Sequence, residues 1–198
     1  MYPDSLKNLI ESFKFLPGIG EKTAERLAFA VLDFDTEQCE LFSRSVFEVK
    51  KKIKNCLICN TLTENDICFV CSNGLRDNDI LCVVDDSKSV FLFEKLGMFN
   101  GYYHVLDGLI SPLDGVNPED IGLDKLIDRI SKEKFKEIIL AFKPSIEGET
   151  TALYIKKILS DMDVVVSRLA SGLPIGADME YVDKLTLERA LIDRKKIE

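Results

Sequence analysis

Tryptophan is absent from the 198-residue chain, and histidine occurs once, at position 104. The first absence carries no functional message. The second narrows the chemistry: His104 stands among apolar strand residues and reads as a core or edge side chain. No Ser/His/Asp or Cys/His constellation can be assembled around it. Long apolar runs are also missing. No stretch approaches the roughly 18–20 apolar residues of a membrane helix, so no membrane partner is expected. The opening, Met1 to Phe15, has acids early and no small-residue cleavage site, which is not the form of a signal peptide. An intracellular, reducing location is the expectation. Positive charge is in deficit too, with 26 Lys and Arg against 34 Asp and Glu, a formal net charge of −8. That balance argues against a surface coated for phosphate. A local patch, not the net charge, decides contact with nucleic acid.

What remains is an ordinary globular composition, 46% hydrophobic and 30% charged, on a chain long enough for one substantial core plus small modules. Against that background Cys56, Cys59, Cys68 and Cys71 stand out as two CxxC pairs separated by eight residues. Each pair turns two thiolates toward one point, and the short loop brings the pairs opposite each other. This is tetrahedral zinc spacing. Two disulfides are the other reading, and they belong to a secreted context that nothing else supports. Four thiolates leave no open coordination position, so the zinc is read as structural, pinning a module from about Lys54 to Arg76 that has few apolar residues. Cys39 and Cys82 lie among apolar neighbours and are expected to be buried thiols.

Periodicity divides the chain. Leu6, Leu9, Ile10 and Phe13 form one helical stripe. Pro17-Gly18-Ile19-Gly20 ends that helix, and a second runs from Glu21 to about Leu32 with Ala24, Leu27, Ala28 and Val31 inward. A third runs from Thr36 to roughly Ile53, capped by Thr36 or Asp35. Beyond the cysteines, strands are expected at Ile80–Asp85, Tyr102–Leu106, Glu137–Phe142 and Val164–Leu169. Helices are expected at Ser87–Leu96, about Glu119–Lys132, Gly148–Ser160 and, after a tail with Gly172, Pro174 and Gly176, at about Thr186–Asp193. The alternation predicts an open, mostly parallel sheet with helices on both faces.

Three constellations carry chemistry. The first is Leu16-Pro17-Gly18-Ile19-Gly20 between two helices, a helix-hairpin-helix. Gly18 and Gly20 permit the tight turn and a close backbone approach, and the second helix presents free amides that favour phosphate. Lys22 and Arg26, one turn apart, would extend that contact along a nucleic-acid backbone, while Glu21 and Glu25 dilute the patch. The second is Lys50, Lys51, Lys52 and Lys54, a solvated face or a second backbone contact. The third is acidic. Asp85 and Asp86 end the first long strand, and Glu147 and Glu149 flank Gly148 after the third. In a parallel sheet the carboxyl ends of the strands open on the same crevice. If the loop is extended, Glu-Gly-Glu sends both side chains the same way, and the acids converge to hold Mg²⁺. Acids at helix N-termini are the plainer reading of Asp86 and Glu149.

Taken in order, the motifs LPGIGEKTAERLAF, the paired cysteines, ILCVVDD, GLISPLDG, IGLDKL, IEGETTA and RLASGLPIGADMEYVDKLTLERAL resemble the bacterial RecR family of recombination mediators over essentially the whole chain. The resemblance implies a multidomain α+β and α/β chain. Its parts would be a helical domain with the hairpin (1–54), a four-cysteine zinc finger (55–78), a Toprim domain (79–173) and a C-terminal assembly segment (174–198). It implies a non-enzymatic, cytoplasmic, nucleoid-associated protein that binds single-stranded, gapped or double-stranded DNA as a homo-oligomer, commonly a tetramer. Such a protein acts with RecO and RecF to help load recombinase on single-stranded DNA at gaps. In that family, Gly18, Gly20, Lys22 and Arg26 fall on the DNA-contacting hairpin, and the four cysteines on its structural zinc ligands. Asp85, Glu147 and Glu149 fall on Toprim acids that serve partner binding, with Mg²⁺ open. Three positions depart from the family pattern: Asp85 replaces the usual Glu, Lys143 the usual Asn, and Glu21 a frequent Pro. The first two weaken a metal reading, and Glu21 implies weaker intrinsic DNA affinity. The rival class is a Mg²⁺-dependent Toprim nuclease or nucleotidyl transferase built on Asp85, Glu147 and Glu149. A third reading is a protein scaffold in which the hairpin is only an oligomer interface.

Overall fold

A computed structural model describes residues 2–170, 173 and 176–194. The described chain divides after Ile53 into two compact units. The first unit is helical: α1 (Asp4–Lys14), α2 (Glu21–Leu32) and α3 (Thr36–Lys52). Ile10 of α1 meets Ala24 and Ala28 of α2, with Leu6, Leu9, Phe13 and Ile19 packed around them. Two alanines on one face of α2 let the helices approach closely, which is why so few large side chains suffice for this core. Asp35 is the N-cap of α3: its carboxylate accepts from the Gln38 amide, and the Gln38 side chain accepts from the Asp35 amide. No residue of α3 is buried. Cys39, in its first turn, is therefore exposed, contrary to the expectation from its apolar neighbours.

The second unit is built on four parallel strands in the order β4-β3-β5-β6. They are β3 (Ile80–Val84), β4 (Tyr102–Val105), β5 (Glu137–Ala141) and β6 (Val165–Arg168), and the two short strands β1 (Lys54–Asn55) and β2 (Leu62–Thr63) form an antiparallel pair before them. Helices α4 (Ser87–Leu96), α5 (Leu123–Glu133) and α6 (Ile146–Ile158) follow β3, β4 and β5, and α7 (Lys184–Ile192) lies beyond β6. Period-two alternation sorts the strands' side chains onto two cores. Leu81, Val83, Ile138 and Leu140 pack with Leu123, Leu126 and Ile130 of α5 and Ile155 of α6. Cys82, Val84, Tyr103, Val105 and Ala141 pack instead with Val90 and with Cys56, Cys59, Cys68 and Val70 of the cysteine module. The module thus shares a core with the sheet and is not a free-standing bead.

Polar contacts weld it there. The Val105 amide donates to the Cys59 carbonyl (2.8 Å), and Asn60 Nδ2 donates to the Val105 carbonyl (3.0 Å). Arg76 ion-pairs with Glu94 of α4 and donates to the Gly101 carbonyl, while the Tyr103 hydroxyl donates to the same glutamate at 2.8 Å. The expected helix from Glu119 is split by Gly122, whose φ of +71° separates a 3-10 turn (Pro118–Ile121) from α5. The loop before it carries a second 3-10 turn, Pro112–Asp114. Gly172 and Pro174 of the tail lie outside the described residues. No helix of the described chain is long and apolar enough to cross a membrane.

Candidate functional site

The hairpin is set by one residue. Gly18 has φ +81°, a left-handed conformation that glycine adopts without strain, and Gly20 follows as the extended N-cap of α2 with no side-chain cap. The first backbone bond of α2 runs from the Ala24 amide to the Gly20 carbonyl, so the amides before it carry no intrahelical partner. Lys22 and Arg26 are exposed and make no ion pair with any described residue. Glu21 is not a free negative charge: Lys14 reaches it at 2.7 Å and also reaches Glu11 at 2.9 Å. Those two glutamates raise the Lys14 pKa, so the lysine stays charged. The acid that stands where the resemblance leads one to expect Pro is thus offset from the end of α1, a pairing that sequence spacing across the turn does not reveal.

The four cysteines converge. Their Sγ atoms all lie within 4.8 Å of one another, with Cys59 and Cys68 at 3.5 Å. Zinc–sulfur bonds of about 2.3 Å in a tetrahedron place sulfurs about 3.8 Å apart, so the set fits the ion. Both knuckles make the same turn: the Asn60 amide donates to the Cys56 carbonyl and the Ser72 amide to the Cys68 carbonyl, each at 3.0 Å. The Cys68 and Cys71 amides point at the sulfurs of Cys56 and Cys68 (3.3 and 3.4 Å), as donors to thiolates do. Cys68, accepting from Cys59 and Cys71, is held far below the usual thiol range, while Cys59 is pushed up to about 12, chiefly by its bond to Cys68. Cys71 is pushed up as well, chiefly by its bond to Cys59. One negative charge is strongly favoured in this cluster and further ones are resisted; a divalent cation removes the resistance. The zinc is structural, because all four positions of the tetrahedron are taken by protein.

The acids do not converge. Among the described residues, the four cysteines are the group whose ligand atoms come within metal-binding reach of one another; Asp85, Asp86, Glu147 and Glu149 do not form such a group. The reason is local. Ser145 caps α6 by accepting from the Gly148 amide, so the helix starts at Ile146 and takes in the Glu-Gly-Glu run whose convergence required an extended loop. Residues two apart on a helix point about 200° apart, so Glu147 and Glu149 diverge. Glu149 bonds Arg168 Nη1 at 2.8 Å, and the other arm of that guanidinium reaches Asp193 at 3.1 Å. Glu147 is held below the usual carboxylate range, first by the Ser145 hydroxyl, then by its own amide and by the nearby charge of Lys143. Asp86 is the N-cap of α4, accepting from the Lys88 amide at 2.8 Å, the plainer of its two readings. Gly148 is required by packing: a Cβ there would lie 2.3 Å from the Lys143 carbonyl oxygen.

Sequence models of known families match the chain in succession. Residues 6–48 match a RecR helix-hairpin-helix, 53–73 a RecR four-cysteine zinc finger domain, 79–170 a Toprim domain, and 172–195 a RecR C-terminal segment. The chain is 45% identical over 196 residues to a recombination protein RecR of Staphylococcus haemolyticus (strain JCSC1435), spanning 99% of each. With the same coverage it is 45% identical to the protein of that name from Staphylococcus saprophyticus and 44% identical to that of Staphylococcus aureus (strain JH9).

Proposed function

Because the chain belongs to the RecR family of recombination proteins, we propose that it is a non-catalytic, DNA-binding mediator of recombinational repair. It works in the cytoplasm at the nucleoid, with RecO and RecF, to help load recombinase on single-stranded DNA at gaps. The observation that carries the DNA contact is the hairpin: Lys22 and Arg26 are exposed, with no ion pair to a described residue, on the helix whose first amides have no intrahelical partner behind Gly18 and Gly20. These contacts read phosphate and no sequence. The division into a hairpin domain (1–54), a zinc finger (55–78), a Toprim domain (79–173) and an assembly segment (174–198) belongs to the same proposal.

A protomer of net charge −8 holds DNA by repetition. Several weak hairpin contacts on one oligomer, a tetramer in this proposal, act at high effective concentration, so none has to be strong alone. The exposed apolar residues of α3 and its C-cap support such assembly: Phe42, Val46, Val49 and Ile53 stand at helical spacing. Asp85, Glu147 and Glu149 are assigned to partner docking. Their divergence and the engagement of Glu149 by Arg168 disfavour the two-metal phosphoryl-transfer alternative, which needs carboxylates aimed at one point.

The test is a salt series of binding to gapped duplex, read together with the mass of the bound species. Wild type should bind steeply with salt and without sequence preference. Lys22→Glu with Arg26→Glu should abolish binding at moderate salt, flatten the slope by about one for each contact removed, and leave the oligomer intact. Full binding by that variant would refute the hairpin assignment.

A further inference from the structure

A cleft of about 680 Å³ opens between the first cysteine knuckle and α5, entirely within the second unit. His104 lines it. This histidine is 3% exposed, its ring makes no hydrogen bond with any described residue, and its Nδ1 is shielded from solvent. A buried polar atom left unmatched costs about 1–3 kcal/mol, and such atoms gather where a ligand is received.

The charges around it are not evenly committed. Asp128 is paired with Lys132 at 2.6 Å, Glu133 with Arg129 Nε at 3.0 Å, and Asp107 accepts from Asn60 Nδ2 at 2.8 Å. Every acid lining the cleft is therefore engaged. Lys125 has no ion pair with a described residue, and it stands one turn before Arg129 on the same face of α5. Arg129 is 6% exposed and held at two points, by Glu133 and by a 2.6 Å bond from Nη1 to the Tyr103 carbonyl. Its Nη2 makes no bond to a described residue. Burial first, then Arg129 and Lys125, disfavours a charge on the His104 ring, with Asp107 opposing them. A fixed guanidinium arm, a free ammonium and a buried imidazole on one cleft suit an oxyanion, and arginine's planar fork suits phosphate in particular.

We propose that this cleft binds the phosphate of a nucleotide, presented either by a DNA strand or by a free nucleotide. The DNA source rests on the hairpin reading above; the chemistry of the cleft does not. As a DNA contact it would place a second backbone grip on the zinc-bearing unit, independent of Lys22 and Arg26. As a nucleotide site it would give the protein a ligand that its hairpin cannot recognise.

The chain's single histidine makes the test direct. Full-length, zinc-loaded protein labelled with ¹⁵N in histidine gives one set of imidazole resonances, all from this cleft. Titration with thymidine monophosphate and, separately, with a thymidine oligonucleotide should move those resonances to saturation. The movement caused by the monophosphate should be lost in Lys125→Glu, a change at a solvent-exposed position, and kept in Lys22→Glu with Arg26→Glu. Tighter binding of the oligonucleotide, with a salt slope that falls by about one in Lys125→Glu, identifies a DNA strand as the source. Binding of the monophosphate at least as tightly identifies a free nucleotide. Resonances unmoved by both probes, or moved equally in Lys125→Glu, overturn the proposal. Failure of the hairpin reading alone would leave the monophosphate arm unchanged, so the two failures are told apart.

Discussion

His104 shows what a single residue can hide from a sequence. Its burial follows from its apolar neighbours, but its missing partners and the two cations near it come from α5, more than a dozen residues away. Burial, then Arg129, lowers its pKa to about 4, with Asp107 opposing and Lys125 adding to the fall. The unfolded chain, with an ordinary histidine near 6.5, then takes up a proton first as pH drops. The linked stability is therefore fully present above about pH 6.5, is lost as pH falls from there toward 4, and changes no further below. It amounts to at most about 3 kcal/mol. Denaturant unfolding at pH 7.5 and 5 should show this loss in wild type, and His104→Gln should remove most of the difference between the two pH values; an unchanged difference would refute the account. Other residues are more legible. The zinc ligands can be read because their chemistry lies in local spacing. The convergence of Glu147 and Glu149 cannot be read from spacing, because their directions depend on where α6 begins, which Ser145 decides; the plainer reading of Glu149, an acid in the first turn of a helix, is the one found. Cys39 is misread because apolar neighbours in sequence do not reveal that no residue of its helix is buried.

At the scale of elements, the alternation of strands and helices is open to reading because each buried parallel strand is a continuous apolar run. The strand order is not, since pairing is decided by crossovers between distant segments. Nor is the docking of the cysteine module on the sheet. Cys59 and Asn60 bond both backbone groups of Val105, the last residue of the edge strand β4, and so shield groups that would otherwise invite pairing with another chain. Removing zinc should loosen this cover as well as the knuckles. Chelation of the purified protein is expected to speed amide exchange at Val105 by orders of magnitude and to raise light scattering on standing, while Ile138 in the central strand β5 stays protected. Equal exchange at Val105 with and without metal would show that the knuckle holds its place unaided.

For the whole molecule, the apolar stripe on α3 is the feature that a single chain leaves unresolved. Phe42, Val46, Val49 and Ile53 are 37–63% exposed, and burying the exposed remainder of each is worth about 1 kcal/mol. Val46→Glu with Val49→Glu should therefore lower the mass measured by light scattering at fixed concentration, with the helical content of the chain retained. An unchanged mass would show that this stripe is not an interface of the proposed oligomer. The stripe is present in the sequence, but periodicity reports that a helix has an apolar face and is silent on whether that face meets its own chain or another. The cover over β4 also has a consequence for the order in which the chain is made. All four zinc ligands precede β3 and β4, so on the ribosome the metal can close its knuckles before either strand has emerged. The Val105 end of β4 then meets a finished surface as it forms, and the growing chain need not pass through a stage in which those groups are bare.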